Sequence, residues 1–204
     1  MSRRIVILCE GETERAAKKH LKGFLDARTT EGSLVGLVFR VFDGGLNQGK
    51  VANVCEKELE REGTLAVIAL SDFYPAFKGK SAEQARAELR SWMPADPRCH
   101  ACLAKHDFEA WLLVDSAAIA RKARLNLNLR RLETNPENVN HDKPPAHHLH
   151  EIFQNGPKPR KYVKPVDGKA LFENLDLVEA GHKCPELKRF LSCLLVASGC
   201  EPLE

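Results

Sequence analysis

Acidic residues stand at three places where the chain leaves a short apolar run. Glu10 and Asp72 each follow such a run directly, and the pair Asp107 and Glu109 follows another. If these runs are parallel strands, their carboxyl ends meet at the edge where open α/β sheets bind ligands. Clustered carboxylates repel one another, and a hard cation such as Mg²⁺ relieves that repulsion. Bound Mg²⁺ can polarise a phosphate or activate water, so these residue types predict phosphodiester chemistry.

Each acidic residue also has a purely structural interpretation. Glu10, Glu12 and Glu14 could simply favour the N-terminus of a following helix. Asp72 could be an ordinary turn residue. The coincidence of three strand ends favours a site, and we expect Glu10, Asp72 and Glu109 to converge on it.

Four apolar runs alternate with amphipathic segments through the first 124 residues. The predicted strands are 4–9, 35–42, 64–70 and 99–105, and the predicted helices are 12–27, 49–62, 81–92 and 107–122. This order predicts an α/β fold with a mostly parallel sheet flanked by helices. Residues 65–70 carry no polar side chain, so we expect their strand in the sheet interior.

The pattern changes near residue 124, where strand signals end. Residues 134–167 are rich in proline, and helices are predicted at 168–175 and 185–197. We therefore expect an α/β domain at residues 1–124. A helical, loop-rich C-terminal extension at residues 125–204 is expected to pack on it.

The densest basic run lies in this C-terminal part. Lys158, Arg160, Lys161 and Lys164 surround Tyr162. Basic residues interleaved with an aromatic ring suit phosphate neutralisation combined with base stacking, so these four are candidate nucleic-acid contacts. A solvated loop with no binding role explains the run equally well.

Two further clusters invite a metal interpretation. Cys99 and Cys102 form a lone Cys-x-x-Cys pair, and on a strand they would face opposite sides, which favours packing over zinc binding. Four histidines also lie near one another in the sequence: His141, His147, His148 and His150. Zinc would need a tetrahedral set of ligands, so exposed or phosphate-contacting histidines are the preferred interpretation.

The bulk composition excludes several classes of protein. The chain has 204 residues and a net charge of +3, so nucleic-acid contacts must come from local patches. No apolar run approaches the roughly 20 residues of a membrane span. Seven scattered cysteines and the lack of a leader-like segment indicate reduced thiols and a cytoplasmic protein. The sequence contains no Walker A motif, so ATP hydrolysis would need another protein.

Several motifs resemble the Toprim domain. Glu-Gly-Glu-Thr-Glu at 10–14 looks like the first Toprim motif, and residues 66–74 look like the second. His-Asp-Phe-Glu-Ala-Trp-Leu at 106–112, Asn-Pro-Glu at 135–137 and a Pro-containing basic segment at 143–149 are similar to a Toprim-like family, domain of unknown function 4276. The resemblance covers most of the chain and extends to the Toprim half of the overcoming-lysogenization-defect (OLD) nucleases, which are often found beside ATPases in phage-defence loci.

The resemblance implies a Toprim-like, Rossmann-like fold and a set of roles. Glu10 would bind metal or act as acid and base, and Glu14 would support it. Asp72 would bind metal, and Glu109 would complete the site. Many Toprim proteins carry Asp-x-Asp at the second motif, whereas Tyr74 stands at the second position here, so one metal ligand is missing.

The predicted function is that of a nuclease that uses Mg²⁺ or Mn²⁺ to cleave DNA or RNA. By the same resemblance it would act in phage defence with a partner ATPase. The alternative is a nucleic-acid-binding effector subunit with little activity alone. A third hypothesis is another phosphoryl-transfer enzyme.

Overall fold

Four parallel strands form one sheet in the part of the chain that the computed structural model describes, residues 3–30, 34–42, 44–124, 136–138 and 143–204. The strands are β1 (Arg4–Cys9), β2 (Gly36–Val41), β3 (Thr64–Asp72) and β4 (Cys99–Ala104). Their order is β2-β1-β3-β4, and each neighbouring pair is parallel. The predicted α/β class and the interior position of β3 are both confirmed.

The hydrophobic sequence explains why β1 and β3 occupy the middle of the sheet. Residues 5–9 and 67–69 have no exposed surface. A strand covered on both faces needs apolar side chains at successive positions, and these two strands have them. The edge strand β2 carries Arg40 and is partly exposed at most of its positions.

Helices connect the strands and cover both faces of the sheet. In the described residues they are α1 (Glu12–Ala16), α2 (Lys18–Asp26), α3 (Gln48–Leu59), α4 (Ala82–Ser91), α5 (Glu109–Leu112), α6 (Ser116–Ala123), α7 (Pro145–Gln154), α8 (Lys169–Phe172), α9 (Leu177–Lys183) and α10 (Pro185–Ser198). A 3-10 turn lies at Pro136–Asn138 and a π-helical turn at Lys164–Gly168. None of these described helices has the length and apolar character needed to cross a membrane.

Two predicted helices are interrupted. The segment at 12–27 is divided into α1 and α2 at Ala17, and the segment at 107–122 is divided into α5 and α6. Asp115 accounts for the second break, because its side chain accepts a hydrogen bond from the Ala118 amide at 2.8 Å. Such a cap begins a new helix rather than continuing the old one.

The C-terminal helices also differ from the prediction. The helix α8 is shorter than the predicted segment at 168–175, and α9 was not predicted. Asp176 begins α9 by accepting hydrogen bonds from the amides of Val178 and Glu179 at 3.0 and 3.1 Å. The helix α10 packs on β3 and β4.

The domain boundary at residue 124 stays a prediction, and residues 125–135 lie outside the described ranges.

The two faces of the sheet pack into separate hydrophobic clusters, and the Cys-x-x-Cys pair is divided between them. Cys102 belongs to the cluster that includes α2 and α10, and its Sγ lies 3.7 Å from the Sγ of Cys193. Cys99 belongs to the cluster on the α3 and α4 side, where it contacts Cys55. The two thiols therefore face opposite sides of β4, as strand geometry predicts. All seven cysteines are free.

A buried glutamate joins the start of α10 to α5. Glu137 is 2% exposed, and its Oε1 accepts a hydrogen bond from Trp111 Nε1 at 3.0 Å. The same carboxylate accepts from the amides of Glu186 and Leu187 at 3.1–3.2 Å. A negative charge at a helix N-terminus also interacts favourably with the helix dipole. This contact links the 106–112 motif to the Pro-Glu of the 135–137 motif.

Replacing Glu137 should therefore destabilise the fold. In Glu137→Ala the buried donors of Trp111, Glu186 and Leu187 lose their acceptor, so the free energy of unfolding should fall by about 3 kcal/mol. Glu137→Gln keeps an acceptor oxygen and should lose less. Urea unfolding followed by tryptophan fluorescence measures both, with the exposed Glu173→Ala as control. Equal losses for Glu137→Ala and the control would show that the buried carboxylate is not a stabilising contact.

Candidate active site

Glu10 lies just beyond the end of β1, beside the end of β3. The Ser71 hydroxyl donates a hydrogen bond to the Glu10 carboxylate. The backbone amides of Leu46 and Asp72 donate to the same carboxylate. Because β1 and β3 are parallel neighbours, Asp72 at the end of β3 reaches the same edge of the sheet.

The turn after β4 brings Asp107 and Glu109 to this edge. His106 has a φ of 75°, in the left-handed region that non-glycine residues rarely adopt, so the chain changes direction there. The Phe108 amide then donates to Asp72 Oδ1 at 3.0 Å, which ties the turn to the end of β3. Asp107 and Glu109 are buried, with exposed fractions of 7% and 1%.

Glu14 reaches the site from α1 and is also buried. Its carboxylate lies against the backbone of Gly11, where an added Cβ would stand 2.8 Å from Glu14 Oε2. Any larger residue would force the Glu14 side chain to move. The Glu-Gly pair that opens the 10–14 motif thus has a physical reason, since the glycine makes room for the carboxylate of Glu14.

These five residues, Glu10, Glu14, Asp72, Asp107 and Glu109, form what we call the carboxylate cluster. Burial, and then the charges of the other four members, hold the pKa of Asp72 well above its ordinary value. Burial, and then the charge of Glu109, raises the pKa of Asp107 to about 7. Burial also raises the pKa of Glu14 to about 7. Burial raises the pKa of Glu10 as well, although the hydrogen bonds that Glu10 accepts act in the opposite direction. The cluster therefore favours protons or cations at neutral pH.

One such cation is Lys164, from the π-helical turn. Its Nζ lies 3.1 Å from Glu109 Oε2. Burial lowers the pKa of Lys164, but the charges of Glu109 and Asp107 outweigh that effect, so the net shift is upward. In the described part of the chain, the buried Asp107 Oδ1, Glu109 Oε1 and Tyr162 hydroxyl have no hydrogen-bond partner.

The structure brings together the four residues predicted to form the site. Glu10, Glu14 and Glu109 all interact electrostatically with Asp72. Their roles as catalytic residues and metal ligands stay predictions. Among the residues that the structure describes, no three His, Cys, Asp or Glu side chains are arranged so that they could hold one metal ion.

Sequence reasoning left Asp107, Ser71 and Lys164 out of the site. Asp107 stands directly after β4 and its turn, and this position was the signal that it could belong there. Ser71 precedes Asp72 on β3, and nothing in its residue type indicated a contact with Glu10. Lys164 was assigned to nucleic-acid binding, whereas its ammonium contacts the carboxylate cluster.

The other basic residues of the predicted run lie at the surface, and Arg160 in addition has a buried acidic partner. Arg160 donates two hydrogen bonds to the buried Asp167 at 2.6 and 2.8 Å and lies 4.5 Å from the ring centroid of Phe153. Tyr162 is 8% exposed, so the interpretation of this ring as a base-stacking platform is wrong. Lys158 and Lys161 are exposed.

The histidine cluster falls partly outside the described residues, which exclude His141 and also Asn135 of the 135–137 motif. His147 lies on α7, where its Nε2 is 3.1 Å from Glu151 Oε1 at the surface. Its environment agrees with an exposed histidine.

The chain belongs to the family described as domain of unknown function (DUF4276), which matches residues 9–195. No curated protein matches the chain. The match includes the 10–14, 66–74 and 106–112 motifs and therefore all five members of the carboxylate cluster.

A solved structure similar to this chain is the C-terminal region of the Burkholderia pseudomallei OLD protein. The TM-score is 0.50 at 12% sequence identity, and the alignment covers 95% of this chain and 96% of the other. At this identity the likeness shows the fold. Together with the family match, it confirms the expected Toprim-like family related to OLD.

The raised pKa of Glu14 predicts how stability depends on pH. Between its ordinary value of 4.5 and about 7, the folded chain keeps a proton on Glu14 that the unfolded chain loses. The free energy of unfolding should therefore fall as pH rises through this window. In Glu14→Gln the fall should be smaller by about 3 kcal/mol.

Urea unfolding at pH 4.5, 6 and 8, without divalent cations, measures this effect. Glu62→Gln, at an exposed carboxylate beyond α3, is the control and should follow the wild-type curve. A Glu14→Gln curve parallel to that of wild type would contradict the assignment of Glu14 to a repulsive cluster.

Proposed function

We propose that this chain is a nuclease-like protein that uses Mg²⁺ or Mn²⁺ to cleave phosphodiester bonds in DNA or RNA. The observation that carries the proposal is the carboxylate cluster, in which four groups have raised pKa values at the carboxyl edge of a parallel sheet. Open α/β sheets bind ligands at this edge. Membership of a Toprim-like family adds support.

The donor set fits a hard divalent cation in its chemistry. Carboxylate oxygens are preferred Mg²⁺ ligands, and Asp107 Oδ1 and Glu109 Oε1 are buried without hydrogen-bond partners. Glu10, Asp72 and Glu109 would hold the metal, with Glu14 beside them, after their side chains move from the arrangement described here. When bound, the metal would supply charge neutralisation at the scissile phosphate and an activated water. Tyr74 provides no carboxylate at the second position of the Asp-x-Asp motif, so the protein ligand set would be small.

The remaining steps belong to the residues of the chain. The Ser71 hydroxyl and two backbone amides fix Glu10 in place. Glu14 and Asp107, with pKa values of about 7, can accept or release a proton at neutral pH, as a general base or acid must. Lys164 places a positive charge at the same position and can neutralise either the cluster or an incoming phosphate.

The wider context of the proposal comes from the resemblance to the OLD nucleases. Nucleic acid is the proposed substrate, and a separate ATPase is a proposed partner in phage defence. Seven free thiols support a reducing compartment such as the cytoplasm.

The alternative is a nucleic-acid-binding effector subunit with little activity alone. One observation favours it: Lys164 already compensates part of the negative charge, and the described carboxylates are not arranged around a metal position. Under this alternative, a partner or substrate would have to rearrange the site before any reaction.

Asp72→Asn tests the nuclease proposal. Asparagine keeps the oxygen that accepts from the Phe108 amide but removes the charge, so the fold should be retained. Mg²⁺ and Mn²⁺ affinity should fall by more than about tenfold, and cleavage should fall to the level of a metal-free reaction. Calorimetric titration and assays on plasmid, single-stranded DNA and tRNA measure the two effects.

Asp26→Asn removes an exposed carboxylate from α2 and serves as the matched control. Unchanged metal affinity in Asp72→Asn, with cleavage intact, would rule out this site as the nuclease centre. A wild-type protein that binds oligonucleotides but cleaves none of the substrates would favour the effector alternative.

Lys164→Met tests whether the ammonium group of Lys164 and a bound metal ion compete for the negative charge of the carboxylate cluster. Removing the ammonium should raise Mg²⁺ affinity by about tenfold, because a nearby like charge is lost. The variant should also be less stable than wild type without metal and recover when Mg²⁺ is added. Lys161→Met, at an exposed neighbour, should change neither quantity. Weaker Mg²⁺ binding in Lys164→Met would show that the lysine supports the metal site instead of competing with it.

A further inference from the structure

A basic groove crosses the open edge of the sheet beside β2. It has a volume of about 570 Å³, and its charged lining residues are Arg15, Arg40, Lys57, Arg61 and Glu58. Four cationic side chains thus accompany one carboxylate. Since the whole chain carries a net charge of only +3, this groove concentrates positive charge locally.

The single carboxylate orients the cations on the α3 side of the groove. Glu58 is 3% exposed, and its Oε1 accepts hydrogen bonds from Arg40 Nε and Nη2 at 2.9 and 2.7 Å. Arg61 Nη1 lies 3.4 Å from the same oxygen. The side chains of Arg40 and Arg61 nevertheless stay 40% and 53% exposed. A buried acid therefore holds two guanidinium groups at the surface, where they can contact an anion.

The groove wraps around the sheet edge instead of lying on one face. Phe39, Arg40 and Val41 all line it, and consecutive strand residues point to opposite faces. Arg15 lines it from α1, and Lys57 lines it from α3. Phe39 also lines the groove, is partly exposed and offers it an aromatic surface.

One end of the groove lies close to the carboxylate cluster. Arg15 is the residue next to Glu14 in α1. Phe42, which also lines the groove, donates its amide to the Cys9 carbonyl at 2.9 Å, one residue before Glu10. Arg15 and Phe42 thus place one end of the groove near the acidic site at the carboxyl edge of β1 and β2, while Lys57 and Arg61 line its other part, near the end of α3.

We propose that this groove binds the phosphate backbone of a single nucleic-acid strand and leads it to the carboxylate cluster. The proposal rests on the proposed function, for which it names the substrate-binding surface. Cationic side chains at the groove walls suit backbone phosphates, and a partly exposed ring suits sequence-independent contact with a base. The groove adds a second set of cations to the predicted basic run, in which Arg160 and Lys164 contact Asp167 and Glu109.

The test measures binding of a fluorescent single-stranded oligonucleotide by anisotropy, at several salt concentrations and in EDTA. The double variant Lys57→Gln and Arg61→Gln removes two groove cations. Its slope of log K against log salt should be shallower than that of wild type by about 0.7 per lost phosphate contact. Circular dichroism checks that each variant is folded.

The matched control is the double variant Lys188→Gln and Arg189→Gln, which lies on α10 with His100 of β4 nearby, at the other edge of the sheet. Arg189 is 54% exposed and lies 3.9 Å from Glu186 three residues earlier, much as Arg61 is placed beside Glu58. This control should keep the wild-type slope. Equal changes in both double variants, an unchanged slope in the groove variant or no binding by wild type would each overturn the proposal.

Because EDTA removes divalent cations, the binding assay measures nucleic-acid affinity independently of the proposed metal-dependent cleavage. If Asp72→Asn loses cleavage and still binds the oligonucleotide through the groove, both proposals are supported. If wild type binds through the groove but no metal-dependent cleavage occurs, the binding proposal is supported and the nuclease proposal is wrong.

Discussion

The constraint on which this structure depends is the repulsion among five carboxyl groups held at one edge of a sheet. Two of them, Glu10 and Asp72, are fixed by the ends of β1 and β3, so they cannot move apart without disrupting the centre of the fold. The chain compensates with a hydroxyl and amides that donate to Glu10, and with the ammonium of Lys164 beside Glu109. Burial first, and then the charge of Glu109, still raises the pKa values of Glu14 and Asp107 to about 7.

The C-terminal helices contribute to the same arrangement at a distance. Glu109 is the first residue of α5, and two residues later Trp111 donates to Glu137 and stacks on Phe190 of α10 at 5.9 Å between centroids. Glu137 in turn accepts from the amides that begin α10. The helix that carries Glu109 is therefore held by the C-terminal part of the chain. This contact gives a physical reason why the 106–112 motif includes Trp111, a residue that does not reach the carboxylate cluster.

The sequence was most informative where a side chain follows a regular element directly. The apolar runs of β1 and β3 predicted the sheet interior, and Glu10 and Asp72 follow from them because a residue at a parallel strand end has only one edge to reach. The position of Asp107 at the site depends on the left-handed conformation of His106, and the position of Lys164 depends on a π-helical turn. Neither conformation has a reliable signal in residue type.

Charge was the least predictable property, because a basic side chain can face a buried acid as easily as solvent. Arg160 and Lys164 belong to the densest basic run, yet each contacts a buried carboxylate. In the groove beside β2, Arg40 and Arg61 contact the buried Glu58 and stay 40% and 53% exposed, much as Arg160 and Lys164 stay 42% and 51% exposed. Residue type alone therefore does not show which basic side chains have a buried acidic partner.

The central claim is that the carboxylate cluster binds a divalent cation in place of protons. Calorimetric titration of wild type with Mg²⁺ at pH 7, in two buffers of different ionisation enthalpy, tests it directly. Glu14 and Asp107 have pKa values of about 7, and the pKa of Asp72 is raised well above its ordinary value, so the account predicts release of at least about one proton for each Mg²⁺ bound. The release should be smaller at pH 9, where Glu14 and Asp107 have already lost their protons. Binding heats that are the same in both buffers at pH 7, or no Mg²⁺ binding at all, would contradict the account.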